Sequence, residues 1–564
     1  MACFLTSCFA CNCCVDCAVS NVLVDNANIK AETKETLERI KDSHTIISVL
    51  SAPKQFYEAT QNPLTDADIK TENIDLGWKK TGSRFDDWKK DRVKKIDHKI
   101  SKDFHTTILG TDDNFGDYTC IEKLTGKTLR NRCILPLEDS VEMLNDDELA
   151  ERFLTDLLLE QGKALPVTYT TDFNMKTDAS FSRIFFYGMG SVLLAKQEKV
   201  SESEYGPFVV DMPLQDLETR KLYRKYGARV HFGEDQMVTA IYDYHWKRLV
   251  KPGDTGWETA KMLAKVTSFF LMTAREHLVW THLIASNVAT RESTLNLPPS
   301  HPIRRLLTIF TFRATEVNLA AFDSLVPNTS ILYRSSGLKY ESMMDLFNSA
   351  YTSCDIFEPF ADRKYNPALQ KLSDEGKFPY ISQGSEYYEI VRTFVRDWLD
   401  NAGDAASDAH AKAFYQGCKV ATVGQKYELP DYSAEGMINL ISSVIFAVTA
   451  YHEMIGHIVD YTLLPSRSGF RLGKGSTAEI DLQSFILGSI ITGSTAIPMP
   501  QLMNDFSGFF GAGGAPAWEK DVWASFNGDL KVQSKKVKEE DAKRPAGMEF
   551  KYFDPARFEC SVSV

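Results

Sequence analysis

Four of the 11 histidines in this 564-residue chain fall in its two most apolar helix-like stretches. His277 and His282 lie in WETAKMLAKVTSFFLMTAREHLVWTHLIASNVA, and His452 and His457 in EGMINLISSVIFAVTAYHEMIGHIVDYTLL. Imidazole suits several first-row transition metals, and YHEMIGHIVDY comes within one residue of the zinc-protease pattern H-E-x-x-H. That chemistry requires both histidines four apart on one helical face with the glutamate beside them; here each pair is spaced H-x4-H. On a regular α-helix, residues five apart point about 140° from one another, so neither pair can share an ion there. A π-bulge, with hydrogen bonds from i to i+5, would bring each pair onto one face. The plainer alternative is four core histidines, each satisfied by a local hydrogen bond.

The elements that must position these residues are helical. From about residue 139 onward, apolar residues recur at three- and four-residue steps in DDELAERFLTDLLLEQG, LQDLETRKLYRKYG, EYYEIVRTFVRDWLDNAG and the two histidine-bearing stretches, which predicts helices. The last two are apolar nearly all round, so they belong at the centre of a bundle. The expected fold is mainly α, one large helical domain over 139–564 with long buried central helices carrying π-bulges. Residues 31–138 read as a helical and loop region, without the alternation of an eight-stranded sandwich. KVQSKKVKEEDAKRP is expected to be a solvated helix or loop.

Composition narrows the function classes. A net charge of −12 argues against a dedicated nucleic-acid binder, which needs a concentrated basic surface. Apolar residues at 43% and charged residues at 25% are ordinary for a globular protein. The stretch 439–461 carries histidines, a glutamate and an aspartate, and so reads as a buried core helix rather than a membrane span. Six of the 11 cysteines lie within the first 17 residues, which is no disulfide framework. With no signal-peptide pattern, the expected compartment is reducing and cytoplasmic. S-acylation of the 1–30 tail would give peripheral membrane contact; the alternative is a disordered tail with idle thiols.

The first histidine pair is followed by His301-Pro302, Leu306-Leu307 and Val317-Asn318, preceded by DASFSRIFFYGMG and YGPFVVDMPLQDLETRKLYRKYGA, and the chain ends FKYFDPARFECSVSV. In this order, over roughly 140–564, the sequence resembles the lipoxygenases. The resemblance implies a metal site made of His277, His282, His452 and the terminal carboxylate of Val564, holding iron or alternatively manganese. It implies a non-haem dioxygenase that inserts O2 into a polyunsaturated fatty acid or related lipid, by hydrogen abstraction at a metal-bound hydroxide, to give a hydroperoxide. By the same likeness Ala321 would direct oxygen, Leu325 would clamp the pentadiene and Leu487 would line the opposite wall. Phe322 stands where arginine is usual. Residues 1–138 look too short and too poor in strand pattern for the family's β-barrel domain, so the expected form is barrel-less.

One departure stands out. The family's fourth ligand, asparagine or histidine, sits four residues after the third histidine, and this chain has Gly456 there. Either the metal has a more open site, or His457 replaces the ligand through a second π-bulge. Because the family also includes members that rearrange hydroperoxides, a hydroperoxide isomerase on the same scaffold is the nearest alternative. A metal-free lipid-binding or scaffold protein is the alternative outside enzymes.

Overall fold

Capping and aromatic burial set the first described helix, α1 (Asp178–Phe186). Thr177 accepts the Ser180 N–H at 3.1 Å, satisfying one of the donors a helix start leaves open, and Phe181, Ile184, Phe185 and Phe186 are buried. The computed structural model describes residues 177–197, 204–221, 223–298, 300–312, 314, 318, 325–326, 331–456, 469–474, 501–504, 506, 510, 515–545 and 547–562. The cysteine-rich tail 1–30 and the region 31–138 lie outside these residues.

An antiparallel sheet follows α1, in the order β1 (Phe208–Met212), β2 (Ala228–Phe232), β3 (Val238–Asp243), β4 (Arg248–Val250). It is a β element within the mainly α domain, one that the helical periodicity did not predict. β1 is FVVDM and only Asp211 of it is not buried, so the strand has no polar face to alternate with its apolar one. A short, doubly buried apolar run carries no period. The sheet packs on α1 through Phe186 against Phe208 (ring centroids 5.5 Å) and Phe185 against Phe232 (5.4 Å).

LQDLETRKLYRKYG, between β1 and β2, was expected to be helical and is not. Its backbone bonds run to distant segments: Arg220 N donates to Gly337 O, Lys339 N to Glu218 O, and Arg224 N to Leu472 O, each at 2.8 Å. The Arg220 side chain is buried and donates to the Ser336 and Tyr333 carbonyls. Long-range pairing outweighs a local preference worth only tenths of a kcal/mol per residue, about 0–0.7.

Most of the remaining described residues are helical, as the periodicity predicts, while DDELAERFLTDLLLEQG lies outside the described residues. α2 runs through Trp257–Leu271, Met272–Ser286 and Asn287–Asn296, and its middle part is a π-helix. Shorter helices α3 (Pro302–Phe310) and α4 (Tyr340–Thr352) follow. α5 (Pro379–Ala402) begins with proline at its first position, where the missing N–H costs nothing. α6 is Ala409–Ala421. α7 (Ala434–Gly456) is apolar enough to cross a membrane by length and composition, but most of it is buried inside the protein. It contains a π segment, Ala447–Tyr451. α8 (Ala517–Asp541) includes most of the Lys/Glu run and still buries Gln533, Ser534 and Val537. α5 lies against both: Tyr387 meets Thr449 of α7 at 2.8 Å, and Phe394 stacks on Phe526 of α8 at 4.1 Å.

Two helix caps meet at α3. His301 Nδ1 accepts the Ile303 N–H at 3.2 Å, and its Nε2 lies 3.5 Å from Asp408. Asp408 itself caps α6 through Ala411 N at 2.8 Å. Burial holds the His301 pKa below its ordinary value, with Asp408 opposing in part. The unfolded chain therefore takes up this proton first as pH falls. Its stabilising share is complete above about pH 6.5 and is lost as pH drops through the folded-state value. Thermal denaturation should show a lower Tm at pH 5.5 than at pH 7. His301→Asn, which keeps a cap acceptor, should flatten that slope; an unchanged slope would exclude His301 as a source.

Candidate metal centre

The π geometry of α2 decides where its histidines point. With hydrogen bonds from i to i+5, the turn widens enough for residues five apart to share a face. His277 and His282 accordingly place their Nε2 atoms 3.1 Å apart. His452, the first residue after the π segment of α7, adds a third Nε2 at 3.2 Å from His277 and 3.3 Å from His282. The three rings are buried, with exposures of 8%, 1% and 4%. One expectation changes in extent: the π geometry of α2 is a run of 15 residues rather than a single bulge.

The surroundings fix the chemistry of these nitrogens. Asn318, fully buried, has its Oδ1 3.0 Å from His282 Nδ1, while its Nδ2 donates to Ser286 Oγ at 3.2 Å. His282 therefore carries its proton on Nδ1 and presents the Nε2 lone pair to the other two rings. Three nitrogens this close cannot all satisfy one another when one of them is only an acceptor. A single first-row cation at roughly 2.1 Å from each imidazole would satisfy all three, so the donor set and spacing fit a metal ion.

Charged groups lie directly beside the triad. Glu276, with no exposed surface, meets Lys196 at 2.8 Å and Arg275 at 2.6 Å, and accepts a short hydrogen bond from the Tyr451 hydroxyl. Burial pushes the Glu276 carboxyl up, but these two cations and the hydrogen bonds from Lys196 and Tyr451 hold it below the ordinary range. Neither Glu276 nor Tyr451, nor the role of Asn318, follows from the spacing argument. The signal that could have found the first two is that each immediately precedes a candidate ligand.

The structure gives the other candidates unevenly. Gly456 faces the triad: a Cβ built there would stand 3.4 Å from His277 Nε2 and 3.8 Å from His452 Nε2. The α-helical turn His452–Gly456 brings position 456 to the same side as His452, and glycine offers no donor side chain. Leu325 is half-buried and packs against the core. His457, Val564, Ala321 and Leu487 lie outside the described residues. The segment before Val564 is buried, with Phe558, Cys560 and Val562 at 0% exposure. Asn318→Ala should free the His282 ring and weaken metal binding about 10- to 100-fold, measured by competition with a coloured chelator; unchanged affinity would mean the amide does not orient that ring.

No protein-family model and no curated protein sequence matches the chain. Solved structures do. They include a coral 8R-lipoxygenase, 16% identical with a TM-score of 0.64 over 78% of this chain and 74% of that one. A calcium-dependent 11R-lipoxygenase is 15% identical with a TM-score of 0.62 over 76% and 71%. A deletion variant of a LOX in an anaerobic complex with arachidonate is 15% identical with a TM-score of 0.62 over 74% and 73%. The polypeptide described here, mainly α-helical and folded around a buried histidine triad, has the lipoxygenase fold.

Proposed function

We propose that this chain is a lipoxygenase-like oxidoreductase that holds one redox metal and oxygenates a polyunsaturated fatty acid or related lipid. The observation that carries the reading is the convergence of His277, His282 and His452 on one point through their Nε2 atoms. A set rich in imidazole suits iron, whereas manganese prefers oxygen ligands, so iron is the first choice. Such a metal supplies abstraction of a hydrogen atom from a carbon between two double bonds, after which dioxygen adds to the delocalised substrate radical.

The chain's own residues then have separate tasks. The three histidines hold the ion, and Asn318 keeps His282 in the ligating tautomer. Leu325 lies against the apolar core, which supports a part in gripping the substrate chain, with Ala321 and Leu487 as its proposed companions. Burial of the tail through Val562 supports Val564 as the carboxylate ligand. His457 is the proposed fourth ligand, and Gly456 supports the competing reading of a more open site. The arachidonate complex among the similar structures supports a fatty-acid substrate.

Gly456 also favours a second reading, in which the same scaffold isomerises lipid hydroperoxides. Elemental analysis of the purified chain should find close to one equivalent of iron, lost in His452→Ala. A conjugated-diene assay on several polyunsaturated acids, with oxygen uptake followed in parallel, separates the activities. Oxygen consumption supports the dioxygenase; turnover of a supplied hydroperoxide without oxygen supports the isomerase. A chain without metal or either activity would be a scaffold. Full metal and activity in His457→Ala would remove that residue as a ligand. A few residues added after Val564 should displace its carboxylate and sharply reduce both iron content and turnover; wild-type values would rule that carboxylate out.

A further inference from the structure

The two π segments are joined beside the ligands by a buried bridge. Glu276 precedes His277 within the π segment Met272–Ser286, and Tyr451 is the last residue of the π segment Ala447–Tyr451. The Tyr451 hydroxyl donates to Glu276 Oε2. Lys196 Nζ bonds both Glu276 oxygens, at 3.0 and 2.8 Å, and lies 3.6 Å over the Trp280 ring. Trp280 in turn donates to Ala350 O at 2.6 Å. Glu276 and Tyr451 have exposures of 0% and 1%, so their contact is buried, while Lys196 reaches it from a half-buried position.

π-helices are rare and mostly confined to single turns, so a long one must be held from outside. If Met272–Ser286 tightened to α-helix, His277 and His282 would turn about 140° apart. A buried ion pair is weak evidence for stability, whereas fixing register is the best-attested use of such groups. We propose that Lys196, Glu276 and Tyr451 are positioning residues that hold the two π segments in the register where the three histidines converge. Through that register they set how firmly, and in what geometry, a metal is kept. The inference rests on the metal-centre reading and concerns residues that do not touch the ion.

Tyr451→Phe keeps the ring in the core and removes only the hydroxyl. Tyr415→Phe is the control, since Tyr415 is also buried and its hydroxyl donates to Pro430 O at 3.2 Å. Full-length proteins would be loaded with Co(II) or Mn(II) and chased with a chelator, and hydrogen exchange would be followed in metal-stripped protein. Tyr451→Phe should release metal about 10- to 100-fold faster, shift the visible Co(II) bands, and speed exchange in 272–286 and 447–451. Tyr415→Phe, whatever its effect on Tm, should leave all three at wild-type values. Lys196→Met should act in the same direction as Tyr451→Phe and serves if that variant does not fold. Wild-type release and spectrum in Tyr451→Phe, or equal acceleration in the control, would overturn the proposal. If the wild type takes up no metal, the metal-centre reading fails, and the exchange contrast alone decides the bridge: faster exchange in Tyr451→Phe upholds it, and unchanged exchange overturns it.

Discussion

The constraint on which the centre depends is angular: two ligands on one helix, five residues apart, cannot meet unless the backbone gives up α-helical hydrogen bonding. α2 meets it by running as a π-helix over Met272–Ser286, of which only Arg275 is not buried. Side chains hold the widened turn. Thr281 Oγ1 donates to Glu276 O at 2.9 Å, five residues back, a reach that matches the π register. In the second central helix Thr449 Oγ1 donates to Ile445 O, four residues back, and also meets Tyr387 of α5. Packing and these bonds therefore set the histidine geometry, and the rest of the bundle serves to keep the two helices in place.

Several buried charges in this core are matched by an opposite one. Lys261 is paired with Asp178 at 2.7 Å, and Glu519 with Arg305 at 2.9 Å, both within largely buried surroundings. The triad differs, because no carboxylate joins its three imidazoles in their cluster among the described residues. A divalent ion bound by neutral donors alone would leave an uncompensated buried charge, which is strongly unfavourable. An anionic ligand, either a protein carboxylate or a hydroxide in the open position, would offset that charge. The Val564 carboxylate is the proposed source, two residues beyond the buried Val562.

What could be read in the sequence followed from periodicity and spacing. The His277–His282 spacing calls for π geometry if the two are to share an ion, because no α-helix reconciles them, and α2 has it; the second pair is not decided, since His457 lies outside the described residues and the π segment of α7 precedes His452. The helices α2, α5 and α7 were equally legible, since each repeats its apolar residues over many turns. The sheet was not. β1 is buried on both faces, and the segment before β2 has helical spacing but satisfies its backbone against residues more than 100 positions away. The Glu276–Tyr451 bridge spans 175 residues, so nothing local could reveal it. Asn318 was visible as part of a motif, but its hydrogen bond to His282 is a three-dimensional fact.

Identity of 15–16% to structures that share the fold is understandable, since buried helices accept many apolar substitutions at similar volume. Ligand positions have no such tolerance, so a departure there is more informative about chemistry than the rest of the sequence. Gly456 is the case in point. Glycine in a helix is less stable than alanine by about 0.5–1 kcal/mol, and at Gly456, the last residue of the described turn His452–Gly456, two ordinary reasons for a glycine are absent. Its φ does not lie in the left-handed region, and a Cβ would meet its nearest neighbour, His277 Nε2, at 3.4 Å, an ordinary contact. The position is neither strained nor crowded. What glycine leaves there is room next to the three Nε2 atoms, which a longer side chain would enter.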